Sequence, residues 1–209
     1  MSKRKMFEYG GLLAGIVLIA FGVGALLMSF DARSTVQDEL EREQIVGSDD
    51  MSPSAIQAGI DEAGLTGVSA PSCDVAEEPI NTGDEARCFS QYMRIHALES
   101  SGGLTYAQMG RFLAADDPEN PAGTNDEEAA LTDEEGSPVP NAARNTWVTE
   151  TSLSTALNLS YMAERLALFG IVVGVALILT GIGFLVLALG GALRHSRAEA
   201  TRAEKTALA

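Results

Sequence analysis

A chain of 209 residues with a formal net charge of −15, two cysteines and one tryptophan has room for one compact domain beside membrane segments. The charge is sharply partitioned: residues 31–165 hold 26 Asp or Glu against 7 Arg and no Lys, leaving −19. Such a surface repels phosphate backbones and anionic headgroups, which excludes nucleic acid and anionic lipid as its ligands and favours cations and basic partners.

In chain order, residues 1–8 carry Lys3, Arg4 and Lys5, and residues 9–30 are 22 positions without a charge. About 20 apolar helical residues cross a ~30 Å hydrocarbon core, so 9–30 predicts a first transmembrane helix. A cleaved signal peptide is the alternative. It fits the basic start, but the apolar run is too long for a secretory core, and Phe30 stands where a small residue is wanted. Residues 31–46 keep a helical composition, with Gly47 as the expected stop. Ser52 before Pro53 predicts a capped helix whose face is Ala55, Ile56, Gly59, Ile60 and Ala63. Asp84 is the expected cap of a further helix over 85–99, with an apolar stripe of Cys88, Phe89, Tyr92, Met93, Ile95 and His96. Thr105 and Gln108 predict a capping box and a short helix to about Ala115, with Tyr106, Met109, Phe112 and Leu113 on one face.

Residues 116–141 hold four prolines, three acidic clusters and little apolar surface, so burial cannot offset their ordering entropy. They predict a mobile acidic loop. From about Asn141 a helix is expected to run through Trp147, Leu153, Leu157 and Tyr161 into a second uncharged stretch, 166–193. That stretch is 28 residues long, enough to span with some tilt. Unbroken to Leu193, the helix would reach about 80 Å, and its excess would stand clear of the bilayer. Residues 194–209 form a basic tail with Arg194, Arg197, Arg202 and Lys205.

Both spans carry the pattern G-x3-G-x6-G-x-G: Gly11, Gly15, Gly22 and Gly24 in the first, and Gly170, Gly174, Gly181 and Gly183 in the second. The first three glycines of each set fall within about 40° on a helical wheel. Gly11, Gly15, Gly22, Gly170, Gly174 and Gly181 are therefore the expected helix-packing residues. The mate of each stripe is the other span of the same chain or, alternatively, a second copy.

Cys73 and Cys88 both lie in 31–165 and read as a disulfide in an oxidising compartment. His96 among Tyr92, Met93 and Ile95 reads as a core residue, and His195 as an interfacial anchor beside Arg194. No HExxH, GxSxG, P-loop, CxxC or EF-hand pattern occurs, so no catalytic or metal residues and no cofactor are expected. Trp147, Tyr92, Tyr106 and Phe112 are the aromatics expected to form the core of 31–165 or its contact face.

Three stretches carry a family likeness: Tyr9-Gly10-Gly11, the run Cys88 to Glu99 followed by Gly103-Leu-Thr-Tyr106, and Ala143 to Thr151. With the second span, they resemble a group of small two-span membrane proteins of actinobacteria of uncharacterised function. Similar sequences often carry the label of aromatic ring-opening dioxygenase. The residues argue against that label, because a nonheme iron site of that kind needs two His and a carboxylate on one ion. Here the expected topology puts His96 and His195 on opposite sides of the membrane.

The expected protein is thus an all-α membrane protein of the plasma membrane, with two transmembrane helices and a small helical extracytoplasmic domain. It is not an enzyme. It is an envelope protein that contacts membrane lipid and, through its outer domain, another envelope protein; the alternative is a sensor or binding module for a cationic or small ligand. Seven basic residues flank the two terminal ends of the spans and three flank the ends facing 31–165, which predicts both termini in the cytoplasm. A reporter active only outside the cytoplasm, fused to Ala209, should therefore be silent. Activity of that fusion would reverse the topology and the compartment assigned to the cysteines.

Overall fold

The structure, a computed structural model, describes residues 3–190, with side chains from residue 8 onward. The side chains of Lys3, Arg4 and Lys5, the last residues of the expected second span, His195 and the expected cytoplasmic tail 194–209 lie outside the described residues. Four α-helices occur in the order α1 (Lys3–Glu43), α2 (Pro53–Glu62), α3 (Gly83–Ser100) and α4 (Ala142–Leu189), with a 3₁₀ turn at Tyr106–Gln108. Among the described residues β-pairing is limited to isolated bridges, so the fold is all-helical. α1 and α4 are long and apolar enough to cross a membrane, and only 11% of the most apolar stretch of each is buried. The chain divides into two units, Met1–Ser34 with Arg165–Ala209, and Thr35–Glu164.

In the first unit, the buried positions of α1 are Gly15, Gly22 and Ser29, and those of α4 are Ala167, Gly174 and Gly181. Each set recurs every seven residues, the spacing that keeps a seam facing its partner along a pair of supercoiled helices. The two main chains meet where side chains are missing. A methyl group placed on Gly15 would lie 2.8 Å from the Gly181 carbonyl oxygen, and one on Gly22 would lie 2.7 Å from that of Gly174. Large side chains fill the gaps on either side: Leu185 sits over Gly15, Ile178 over Gly22, Leu26 over Gly174 and Ile19 over Gly181. Gly11 faces Ala188, and a Cβ on Gly170 would collide with the Ser29 hydroxyl. Gly24 and Gly183 have no neighbour within 4 Å of a would-be Cβ. Outward positions such as Phe21, Met28, Phe169 and Leu189 are 66–76% exposed, as lipid-facing side chains would be.

In the second unit, one core gathers Leu40, Met51, Ile56, Ile60, Val75, Ile80, Ala86, Tyr92, Ile95 and Leu157 from all four helices and the 64–82 loop. Cys73 and Cys88 are bonded, with Cα atoms 6.1 Å apart, and tie that loop to α3. Closing a loop of this length contributes about 3 kcal/mol in the chain-entropy view. The Tyr92 hydroxyl donates to the Cys73 carbonyl at 2.6 Å, beside the bridge. A second cluster joins Ala97, Met109 and Trp147. Both Tyr92 and Trp147 are core residues, whereas Tyr106 is 43% exposed.

α3 starts earlier than its sequence suggests. Its cap is Thr82, not Asp84: Thr82 Oγ1 accepts from the Glu85 N–H at 3.3 Å while Glu85 Oε2 accepts from the Thr82 N–H at 2.9 Å. That reciprocal pair satisfies two orphan donors at once, which one Asp cannot do. Gly83 then lies against α4, where a Cβ would sit 2.7 Å from Tyr161 Cα, and its N–H donates to Glu164 Oε2 at 2.7 Å. α2 has the expected Ser52 cap and Pro53 start.

The helix expected over 105–115 is limited to Tyr106–Gln108. Beyond it the backbone turns to other partners: Phe112 exchanges both hydrogen bonds with Thr124, and the Leu113 N–H donates to the Val139 carbonyl at 3.0 Å. The composition of 116–141 predicts a mobile loop. Within it the structure places isolated bridges at Thr124, Ala130, Thr132 and Pro138. Its carboxylates serve the turns. Asp133 Oδ1 accepts from the Glu135 and Ser137 N–H groups, and Asp126 Oδ1 accepts from that of Glu128. Asn141, 1% exposed, closes the segment. It caps α4 through Oδ1 to the Ala143 N–H, and its amide donates to the Gly110 and Pro121 carbonyls.

Two predictions follow from this packing. Gly15→Leu and Gly174→Leu should each destabilise the protein in detergent by roughly 1–3 kcal/mol through overpacking, while Gly24→Leu and Gly183→Leu should be nearly neutral. Equal effects at all four positions in thermal unfolding would remove the seam from the account. Burial pushes the Tyr92 hydroxyl above its ordinary value of 10.0, and nearby Asp74 adds to the rise. The folded state therefore holds this proton longer than the unfolded chain. The associated stability is present below about pH 10 and is lost as pH rises beyond it. Tyr92→Phe should lose stability at neutral pH with the hydrogen bond to Cys73, yet decline less steeply than the wild type in alkaline denaturation. Parallel alkaline profiles for the two proteins would refute this.

Candidate functional site

Among the grooves in the unit Thr35–Glu164 that are large enough to receive a ligand or a partner side chain, two stand out by their lining. The first is a cavity of about 570 Å³ walled by Leu40, Ile45, Phe89, Met93, Leu153 and Leu157, with Glu39 and Glu43 at its edge. It lies where the end of α1, α3 and α4 meet, and Leu40 and Leu157 at its wall are shared with the core. Phe89 and Met93 lie four apart on α3, and Leu153 and Leu157 four apart on α4, so each helix turns one apolar stripe toward the same space. Leu153 remains 48% exposed there. Glu39 is engaged on the surface by Arg42 at 2.8 Å, a pair of little energetic weight.

The second groove, of about 540 Å³, runs between α3 and α4, with charged and polar side chains beside Leu159 and Met162. Arg87 and Arg94 stand on its α3 wall, and Glu150, Ser154 and Asn158 on its α4 wall. The Asn158 amide donates to Ser90 Oγ at 3.2 Å and to the Ser154 carbonyl at 2.7 Å, joining the two helices at the floor. Glu150 is only 5% exposed and accepts from Ser154 Oγ at 2.8 Å and Thr151 Oγ1 at 3.3 Å.

The residues singled out by the sequence are distributed unevenly over these features. Cys73 and Cys88 brace the core beneath them, and the six packing glycines lie in the other unit. His96 is not the enclosed core residue its neighbours suggest. Its side chain is 32% exposed, with Nδ1 3.0 Å from Glu99 Oε2 and Nε2 3.5 Å from Asp50 Oδ2. Glu99 lies one turn away on the same face of α3, and Asp50 approaches from the loop before α2, so this face turns toward carboxylates rather than the core. Among the described residues no group of three or more His, Cys, Asp or Glu is arranged to hold a metal ion.

Sequence reasoning missed the part played by arginine. Four guanidinium groups lie over aromatic rings: Arg87 over Tyr161 at 4.8 Å, Arg94 over Trp147 at 5.0 Å, Arg111 over Phe112 at 5.1 Å and Arg144 over Tyr106 at 4.1 Å. In a segment with so many carboxylates the simple expectation is ion pairing. Three of these contacts join residues distant in sequence, such as Arg94 and Trp147, and no local pattern announces them. Glu150 was likewise one carboxylate among many, and only its position between Trp147 and Leu157 on the buried side of α4 sets it apart. No protein-family model, curated protein sequence or solved structure matches the chain.

Proposed function

We propose that the chain is a non-enzymatic membrane protein of the cell envelope, of the two-span actinobacterial kind it resembles. In this reading α1 and α4 cross the plasma membrane with both termini in the cytoplasm, and Thr35–Glu164 is the extracytoplasmic part. Its role is to hold another envelope protein. The observation that carries the proposal is the apolar groove of about 570 Å³ edged by Glu39 and Glu43. A wall of Leu, Ile, Phe and Met side chains favours an apolar anchor, since burying a side chain of that size contributes roughly 1.5–3 kcal/mol. The acidic edge and the net −19 of residues 31–165 select a partner segment with Lys or Arg around that anchor and raise the rate of encounter. The disulfide keeps the α3 wall in place for this purpose.

The test is a photocrosslinking residue at Leu153 in living cells, with the adduct identified by mass. One recurrent protein should be captured through a basic, apolar segment, and Glu39→Lys with Glu43→Lys should lower its yield about tenfold or more. Adducts to lipid alone, or a protein adduct indifferent to the charge reversal, would overturn the reading.

A further inference from the structure

The geometry points to a second site: the groove between α3 and α4 binds a small amino carboxylate, with the ligand's carboxylate on Arg87 or Arg94 and its ammonium on Glu150. Three observations support it, none of which enters the account of the apolar groove.

Arg87 and Arg94 are seven residues apart on α3, two turns along one face, and both line the groove. Among the described residues neither takes part in an ion pair, although the segment around them has 26 carboxylates. Each guanidinium lies over a ring instead, Tyr161 or Trp147. Stacking occupies the face of a guanidinium and leaves its in-plane N–H donors available, so the ring holds the fork ready for a carboxylate. The third observation is Glu150. At 5% exposure it is the most enclosed carboxylate among the described residues, and its partners are two hydroxyls of its own helix. A buried carboxylate without a counter-ion is costly, and hydroxyl donors offset only part of that cost. A ligand ammonium would supply the missing charge.

The groove thus offers anion-binding forks on one wall and an enclosed anion on the other. A carboxylate alone would meet Glu150 unfavourably, and a cation alone would meet the arginines. A solute bearing both charges satisfies both walls, and a cavity of about 540 Å³ has room for one of amino-acid size.

The experiment is calorimetric titration of the full chain in detergent with pairs that differ only in the ammonium group: L-alanine against propionate, and L-glutamate against glutarate. At least one amino carboxylate should bind saturably, about tenfold or more tighter than its deaminated twin, as expected for a charge-assisted hydrogen bond. Arg87→Gln and Arg94→Gln should together weaken that binding about tenfold or more. Glu150→Gln should erase the preference for the amino member while sparing the helical circular dichroism. Failure of both amino carboxylates to bind would overturn the proposal. So would equal affinity for both members of a pair, or binding indifferent to the arginine substitutions. The twin comparison uses only the wild-type protein, so it decides the matter even if Glu150→Gln does not fold. The apolar-groove variants leave this titration unchanged, which separates failure here from failure of the partner reading.

Discussion

At Gly22 and Gly174 the backbones of α1 and α4 come so close that no side chain fits between them, and the contact repeats at Gly15 and Gly181. Within that unit everything else is arranged around this approach. Helices long and apolar enough to cross a membrane gain little, in surroundings as apolar as Leu, by hiding hydrophobic surface from one another. They gain by dispersion contacts between close-fitting surfaces, and these weaken steeply over a gap of even 1 Å. Two glycines seven residues apart on each helix remove the gap, and Ile19, Leu26, Ile178 and Leu185 fill the space beside each contact. The same device recurs in the other unit, where Gly83 seats the start of α3 directly on the backbone of α4. In both places the missing side chain, rather than a present one, determines how closely the helices lie.

The second unit is small, and much of its order comes from polar groups that are enclosed and satisfied. Ser101, fully buried, has its one hydroxyl proton within reach of the Ala97 and Leu104 carbonyls, and its oxygen accepts from the Trp147 indole N–H at 3.2 Å. Asn141 binds carbonyls at Gly110 and Pro121 while capping α4. Losing one partner of such a group leaves the other unsatisfied, at about 1–3 kcal/mol each, so these two residues specify the fold as well as support it. Glu150 belongs to the same class by burial but differs in charge, which is why the groove beside it stands out.

Acidic composition acts here in two ways. Most carboxylates sit on the surface, where they repel one another. A smaller set, including Glu85, Asp126, Asp133 and Glu164, accepts backbone hydrogen bonds and so builds structure. Composition alone cannot distinguish these roles. A count of Asp and Glu over 116–141 reads as a solvated loop, although the side chains of Asp126 and Asp133 organise the turns that bring its backbone into register.

What the sequence determined by itself were the features that rest on local chemistry or on periodicity. Two uncharged stretches of 22 and 28 residues predict two long apolar helices, because a helix has a fixed rise and a bilayer a fixed thickness. Ser52-Pro53 marks the start of α2, and the matched glycine spacing names residues that the structure places at the α1–α4 contact. Tertiary structure alone decided where Phe112 and Leu113 find backbone partners, how His96 comes to lie between Glu99 and Asp50, and which arginines stack on which rings. It also decided that Arg87, Arg94 and Glu150 share one groove. Most of these pairings join segments more than ten residues apart. Helical period constrains the face a residue occupies but not the neighbour that face will meet, and that neighbour is set only when α3 is laid on α4.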